Sequence, residues 1–195
     1  MKTIEDFFDS QVKINDDEKK MLKSIIEIRK YKKGEQIHYK DNIWTHFIYI
    51  NHGIMRSYII NDKGKEFTRQ FFFNTKESSI SNLFAIDLSS IILQEPSMRG
   101  FEVLEDSEAS IFSKQDLEKL FDRSKTFERI GRVFMGFGYI DMDRYYNSLL
   151  AKSAKERYMH LVHTMANLIK QVPQYHIASY LGITPESLSR IRKEI

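Results

Sequence analysis

Residues 174–193 read Gln-Tyr-His-Ile-Ala-Ser-Tyr-Leu-Gly-Ile-Thr-Pro-Glu-Ser-Leu-Ser-Arg-Ile-Arg-Lys, and this stretch decides the fold of the C-terminal part of the chain. Ile177, Ala178 and Leu181 recur at helical spacing, which predicts a first helix running to about Leu181 with these residues facing inward. Gly182 supplies the positive φ that stops a helix and turns the chain. Thr184 is a good N-cap, and Pro185 falls at the first helical position, where a missing N–H leaves nothing unpaired. A second helix therefore starts almost at once. At about 100° per residue, Thr184, Leu188, Ile191 and Ile195 share one face of it, while Glu186, Ser189, Arg190 and Lys193 share the opposite one. The pattern is that of a helix-turn-helix, apolar inside and polar outside.

The outward residue types suit the major groove of double-stranded DNA. Arg190 can present a bidentate fork to guanine, Glu186 can accept from the cytosine amino group, and Lys193 can meet a phosphate. Thr184, Ser187 and Ser189 complete the candidate DNA-contacting set, their hydroxyls suited to phosphate oxygens. Small Ala178 lets the second helix cross the first closely. The alternative is an αα-hairpin that serves packing alone.

Working outward, the 195 residues suffice for one large domain or two small ones, and 42% hydrophobic with 29% charged residues describes an ordinary globular composition. No tract of eighteen apolar residues occurs and the N-terminus is acidic without a signal-peptide core, so no membrane association and a cytoplasmic location are expected. The chain has no cysteine, which excludes disulfides, thiol catalysis, zinc-thiolate sites and cysteine-ligated iron–sulfur clusters. Charge is unevenly spread: residues 151–195 hold seven Lys/Arg against three Asp/Glu, a net +4, which leaves residues 1–150 at −1 out of the total of +3. The basic share sits with the helix-turn-helix and favours a nucleic-acid partner there.

Further back, residues 15–29 predict a helix capped by Asn15 with Met21, Leu22, Ile25 and Ile26 on one side. From Tyr31 the texture turns to short strands: Glu35–Tyr39, Thr45–Ile50, Ile54–Ile60, Lys65–Phe73, Arg99–Leu104 and Ala109–Phe112. Asn51-His52-Gly53 and Asn61-Asp62-Lys63-Gly64 read as hairpin turns. Strands at such close spacing argue a sandwich or barrel rather than a βαβ sheet. Residues 78–93 show no clear period, and Ser113 caps a short helix over 115–121. Residues 126–151 are long and helical, with Phe127, Ile130, Phe134 and Phe137 on one face and Met142, Tyr145, Tyr146, Leu149 and Leu150 continuing it. Gly131, Gly136 and Gly138 weaken such a helix and point to close approach of another backbone, as in a dimer; burial within its own chain is the other reading. A further helix is expected from about Lys152 to Lys170.

This arrangement resembles the Crp/Fnr superfamily of bacterial transcription factors. The resemblance is carried by Lys33-Gly34-Glu35, by 51–56 (Asn-His-Gly-Ile-Met-Arg), by Asp62-Lys63-Gly64-Lys65-Glu66, by Ala154-Lys155-Glu156-Arg157, and most specifically by residues 178–191. It implies an α+β fold: an N-terminal double-stranded β-helix (jelly-roll or cupin-like barrel) over 1–124, a long dimerisation helix over 125–151, and a helix-turn-helix domain over 152–195. It also implies a homodimer reading a pseudo-palindromic DNA site, with Glu186 and Arg190 at the base-reading positions, a small-molecule effector of unspecified identity in the barrel, and RNA polymerase as a further partner. Pro185 replaces the arginine often found just after the cap, which implies a different base preference.

The effector region departs from the family's pattern. Cyclic-nucleotide binders carry Gly-Glu and, about ten residues later, Arg-Ser or Arg-Thr; residues 77–99 lack the Gly-Glu, and Ser97 stands where the arginine belongs. Arg99, two residues on and on the same strand face, keeps an anionic ligand open. A metal-dependent enzyme is the competing class. His38, His46 and His52 match no ligand spacing, His160 and His163 lack a third partner, and no phosphate loop or nucleophile elbow occurs. No enzymatic activity, metal or cofactor is expected. A ligand-free protein that dimerises through its barrel and binds DNA constitutively remains the third reading.

Overall fold

The computed structural model describes residues 2–195. Its first element was not anticipated: α1 (Ile4–Gln11), closed by a capping box in which Thr3 accepts the Asp6 N–H and Asp6 accepts the Thr3 N–H, each at 3.1 Å. The signal was the Thr3-x-x-Asp6 spacing ahead of Ile4, Phe7 and Phe8, all of which are buried. Asn15 and Glu18 repeat the box at α2 (Asp16–Ile25). The helix expected to reach Arg29 stops four residues earlier, because Glu27–Tyr31 is a strand, β1, paired antiparallel with a distant segment, Glu27 facing Ile111 and Tyr31 facing Ser107. No local breaker ends α2; a long-range ladder does.

The strands β2 (Gln36–His38), β3 (His46–His52), β4 (Ile54–Ile60) and β5 (Glu66–Phe73) follow, then the short helix α3 (Ile80–Leu83), β6 (Phe84–Ala85), α4 (Leu88–Leu93), β7 (Arg99–Val103) and β8 (Ser107–Ser113). They form two four-stranded antiparallel sheets, ordered β1-β8-β3-β6 and β2-β7-β4-β5. Asn51-His52-Gly53 is therefore not a hairpin turn: it carries the chain from one sheet to the other, since β3 pairs with β8 and β6 while β4 pairs with β5 and β7. Gly53 makes this corner at φ +92°, where a Cβ would stand 2.7 Å from the Ser107 Cα. Asn61–Gly64 does close a hairpin, with the Asn61 N–H donating to the Lys65 carbonyl at 3.0 Å.

By the pairing register, Ile48, Ile50 and Ile111 of one sheet face Met55, Phe72, Phe101 and Val103 of the other, while Phe47 and Tyr49 point to the outer face, where Tyr49 meets Phe7 of α1. Helix α5 (Lys114–Arg123) then leads into α6 (Lys125–Ala151) through Ser124 alone. The Ser124 hydroxyl caps α6 and donates to Glu18 at 2.6 Å, tying α6 to α2. The two halves of α6 differ, and only burial of the first half within its own chain is seen. Phe127 and Ile130 are buried in the barrel core and Gly131 abuts the Phe121 ring, whereas Phe137, Tyr139, Met142, Tyr146 and Leu150 are exposed and nothing lies within 4 Å of a Cβ built on Gly136 or Gly138.

The helix expected over 152–170 is two helices, α7 (Ala154–Thr164) and α8 (Ala166–Gln171), broken at Met165, whose backbone leaves the helical region at φ −139°. Helices α9 (Gln174–Tyr180) and α10 (Pro185–Lys193) complete an α+β chain. Among the described residues no helix is long and apolar enough to cross a membrane.

Candidate nucleic-acid interface

The α9–α10 corner follows from its residues. Gly182 adopts φ +71°, and the Ile183 N–H returns to the Ala178 carbonyl at 3.0 Å, so the turn closes on the carbonyls that α9 leaves unpaired. The Thr184 hydroxyl accepts the Ser187 N–H at 3.2 Å, capping α10. Ile177, Ala178, Leu181 and Leu188 are buried together with Tyr158 and Leu161 of α7, Leu168 of α8 and Val172 just after it. Arg157 clamps the corner from α7: its guanidinium donates to the Lys152 carbonyl at 2.7 Å and to the Leu181 carbonyl at 2.9 Å. The sequence motif around Arg157 is thus a structural brace.

Of the six candidate DNA-contacting residues, Glu186, Ser189, Arg190 and Lys193 lie exposed on α10. Thr184 is exposed but committed to the cap, and Ser187 is half-buried with its hydroxyl against that of Thr184 at 3.2 Å. Hydrogen bonds from its own backbone N–H and from the Thr184 hydroxyl hold the Glu186 carboxyl below its ordinary range, so it is a charged acceptor. Arg192, absent from the predicted outward face, is exposed on the same helix. Ile195, placed on the packing face, is exposed.

The helix-turn-helix is seated on the barrel. Strand β5 is an edge of its sheet, and the Ser179 hydroxyl of α9 takes the place of the missing strand, accepting the Thr68 N–H at 2.9 Å and donating to the Glu66 carbonyl at 3.3 Å. Tyr180 packs on Phe71 with ring centroids 5.3 Å apart, and Ile54, Phe71 and Phe73 of the barrel join the same apolar cluster as the C-terminal helices. Beside this contact the buried Arg56 donates to Glu66 at 2.6 Å, to Glu102 at 2.8 Å and to Thr68 at 3.2 Å. A cleft of about 230 Å³ runs between Lys65, Glu66 and Phe67 on one side and Tyr175, His176, Thr184 and Pro185 on the other. Burial, with the Arg56 charge adding to it, pushes the His176 imidazole down to about 4.

The region expected to hold an effector is organised by a residue that the sequence reading did not choose. Asp87, buried, accepts the Ser97 hydroxyl at 2.6 Å and stands 3.9 Å from the Arg99 Nε; the Ser97 hydroxyl in turn accepts the Arg99 N–H at 3.0 Å. Burial lowers the Arg99 pKa while the Asp87 charge opposes that shift. Ser97 and Arg99 do meet, but around an acid of the same chain. The histidines do not assemble: His38 packs edge-on against Trp44 at 4.7 Å, His46 pairs with the Thr45 hydroxyl at 2.8 Å, and His160 and His163 are exposed. Among the described residues no three ligating side chains converge on a metal position.

No protein-family model and no curated protein matches this sequence. Solved structures do match. The c-di-GMP-responsive global regulator CLP of Xanthomonas campestris superposes with a TM-score of 0.68 at 14% identity, over 92% of this chain and 91% of that one. A transcriptional regulator of the Crp/Fnr family from Eubacterium rectale gives 0.67 at 18% identity, over 93% and 83%. FixK2 from Bradyrhizobium japonicum gives 0.66 at 17% identity, over 87% and 84%. The chain therefore has the fold of the Crp/Fnr-type regulators, a cyclic-nucleotide-binding-type barrel followed by a helix-turn-helix.

Proposed function

We propose that this protein is a transcriptional regulator that binds double-stranded DNA as a homodimer, reading a pseudo-palindromic site through α10. The observation that carries the reading is the exposed polar face of α10, Glu186, Ser189, Arg190 and Lys193, on a helix fixed by its cap, by the buried Leu188 and by the Arg157 brace. In this reading Arg190 and Glu186 specify bases, while Lys193, Ser189, Ser187 and the Thr184 end of the helix meet phosphates. The working units are a barrel over 1–124, a dimerisation helix over 125–151 and a DNA-binding domain over 152–195. The strand orders 1-8-3-6 and 2-7-4-5 support a double-stranded β-helix for the barrel, since two interleaved Greek keys generate them.

Dimerisation is supported by the second half of α6, where Phe137, Ile140, Met142, Tyr146 and Leu150 stay exposed and the two open glycines allow a second helix to approach. Two such chains would set their recognition helices about 34 Å apart, one turn of the duplex. The protein would act in the cytoplasm, with RNA polymerase as a further partner and no catalytic role. The Asp87 carboxylate beside Arg99 favours constitutive DNA binding, or an effector that is not an anion, over cyclic-nucleotide gating.

The test is selection of bound duplexes from a randomised pool, with Arg190→Ala alongside. An inverted repeat with half-sites one helical turn apart, and a loss of preference at one base with a cost of about 1–3 kcal/mol per half-site in the variant, is the expected result. No enrichment in any condition, or an unchanged preference in the variant, overturns it.

A further inference from the structure

We infer that the β4–β5 hairpin of the barrel is a second DNA-contacting element, in which Lys65, with Lys63 at the tip, meets the phosphate strand that passes the N-terminal end of α10. The inference rests on the DNA-binding reading above and extends it to residues outside the helix-turn-helix.

The first ground is position. Lys65, Glu66 and Phe67 face Gly182, Ile183, Thr184 and Pro185 across the cleft. When a recognition helix enters the major groove, its N-terminal turn and the loop before it lie against one wall of that groove, which is a phosphate backbone. A hairpin that borders those residues borders the same wall. Pro185 and Arg192 are seven residues apart on α10, two turns, so the exposed Arg192 continues this flank. The row Lys65, Thr184–Pro185, Arg192 runs beside the base-reading face.

The second ground is that the hairpin turn is preformed and hydrogen-bonded to the helix-turn-helix. The Asn61 side chain accepts the Lys63 N–H at 3.1 Å and the Lys65 N–H at 3.0 Å, and Gly64 takes φ +75°, so the turn is formed in advance. The Ser179 hydroxyl holds the hairpin close to its turn, at Thr68 and Glu66. A phosphate contact from such a loop orders no mobile segment on binding.

The third ground is charge. Glu66 would repel a phosphate, but its carboxylate is turned to the buried Arg56 at 2.6 Å, a cation that it shares with Glu102. Among the described residues neither Lys63 nor Lys65 has a carboxylate within 4 Å, and Lys65 Nζ lies 5.1 Å over the Phe67 ring. Residues 61–65 thus carry two lysines against the single acid Asp62, all exposed.

The test uses the duplex recovered by selection and the full chain, with dissociation constants measured from about 50 to 300 mM KCl. Removing one phosphate-neutralising side chain makes the slope of log K against log[salt] shallower by about 0.9. Lys63→Gln with Lys65→Gln is expected to flatten the slope by that amount for each lysine that meets a phosphate and to weaken binding several-fold at low salt, with the base preference unchanged. Lys65→Arg in an otherwise unchanged chain should keep the slope, and unfolding curves of all variants should overlay. A double variant with the parent's slope and affinity, where the parent binds its site, refutes the hairpin contact and leaves the DNA-binding reading standing. A parent that binds no duplex refutes both. A double variant that alters base preference refutes the phosphate role.

Discussion

Replacing Ser179 by Ala tests the seat of the helix-turn-helix on the barrel. The hydroxyl makes two bonds to the edge of β5, accepting the Thr68 N–H at 2.9 Å and donating to the Glu66 carbonyl at 3.3 Å. Glu66 is exposed, so water replaces the second bond at little cost. Thr68 is buried and its N–H faces away from the sheet, so the first bond has no substitute. Stranding a buried donor costs about 1–3 kcal/mol; because Ser179 itself is half-exposed, partial hydration keeps the loss to about 1–2 kcal/mol. With a urea dependence near 3 kcal/mol/M, as suits a chain at the larger end of the single-domain range, the midpoint should fall by about 0.3–0.7 M. Trp44, the only tryptophan and buried in the barrel, reports barrel unfolding by fluorescence, and far-UV ellipticity reports the helices, at one fixed protein concentration. Exchange of the Thr68 amide should accelerate roughly 5- to 30-fold, since each 1.4 kcal/mol is about a factor of ten. Ser179→Thr keeps the hydroxyl and should sit near the parent. A midpoint within 0.1 M of the parent together with unchanged Thr68 exchange, a tolerance set at about the error of such fits, would refute the idea that the hydroxyl closes the strand edge.

Three further outcomes are expected. His176, held at about 4 by burial, binds its proton more weakly in the folded state than in the unfolded one, so its contribution to stability is full above about pH 6.5 and is lost as pH falls toward 4. The loss is on the order of 2 kcal/mol after solvent screening, and urea midpoints of the parent minus those of His176→Gln across that window measure it. Gly53→Ala should destabilise by about 3 kcal/mol or more, since it adds a Cβ 2.7 Å from the Ser107 Cα at φ +92°, while Gly64→Ala at an open φ +75° should lose only about 1 kcal/mol; thermal unfolding separates them. Gly136→Ala with Gly138→Ala should strengthen α6 by up to about 1 kcal/mol each in the isolated chain yet weaken self-association in sedimentation equilibrium. Unchanged association would remove these glycines from the proposed dimer seam.

The helix-turn-helix was legible because its signals are local. Gly182, Thr184 and Pro185 set a turn and a cap within a few residues, and Ile177, Leu181 and Leu188 repeat at helical spacing, so the chain's own periodicity names both helices. The β4–β5 hairpin was legible for the same reason, through Asn61 and Gly64. The Thr3 capping box is in the sequence, but the helix behind it is only eight residues long and gives little periodic signal.

What could not be read depends on partners far away in the chain. Glu27–Tyr31 has the residue types to prolong α2, and only its ladder to β8, some eighty positions on, makes it a strand. Asn51-His52-Gly53 has hairpin chemistry, yet turns between sheets because β8 and β7 take the positions that β4 and β3 would offer each other. Asp87 beside Arg99, Ser179 on the edge of β5, and His176 near Arg56 are meetings across 12, 111 and 120 positions that no spacing rule encodes. Local signals along the chain were enough for the helix-turn-helix, the strand-rich first half and the long helix, since turn chemistry and hydrophobic period act over a few residues. Which strands pair, that Asp87 stands beside Arg99, and that the helix-turn-helix rests on the β-domain came from long-range packing. Those depend on which surfaces are brought within hydrogen-bonding distance once the whole chain has closed on its core.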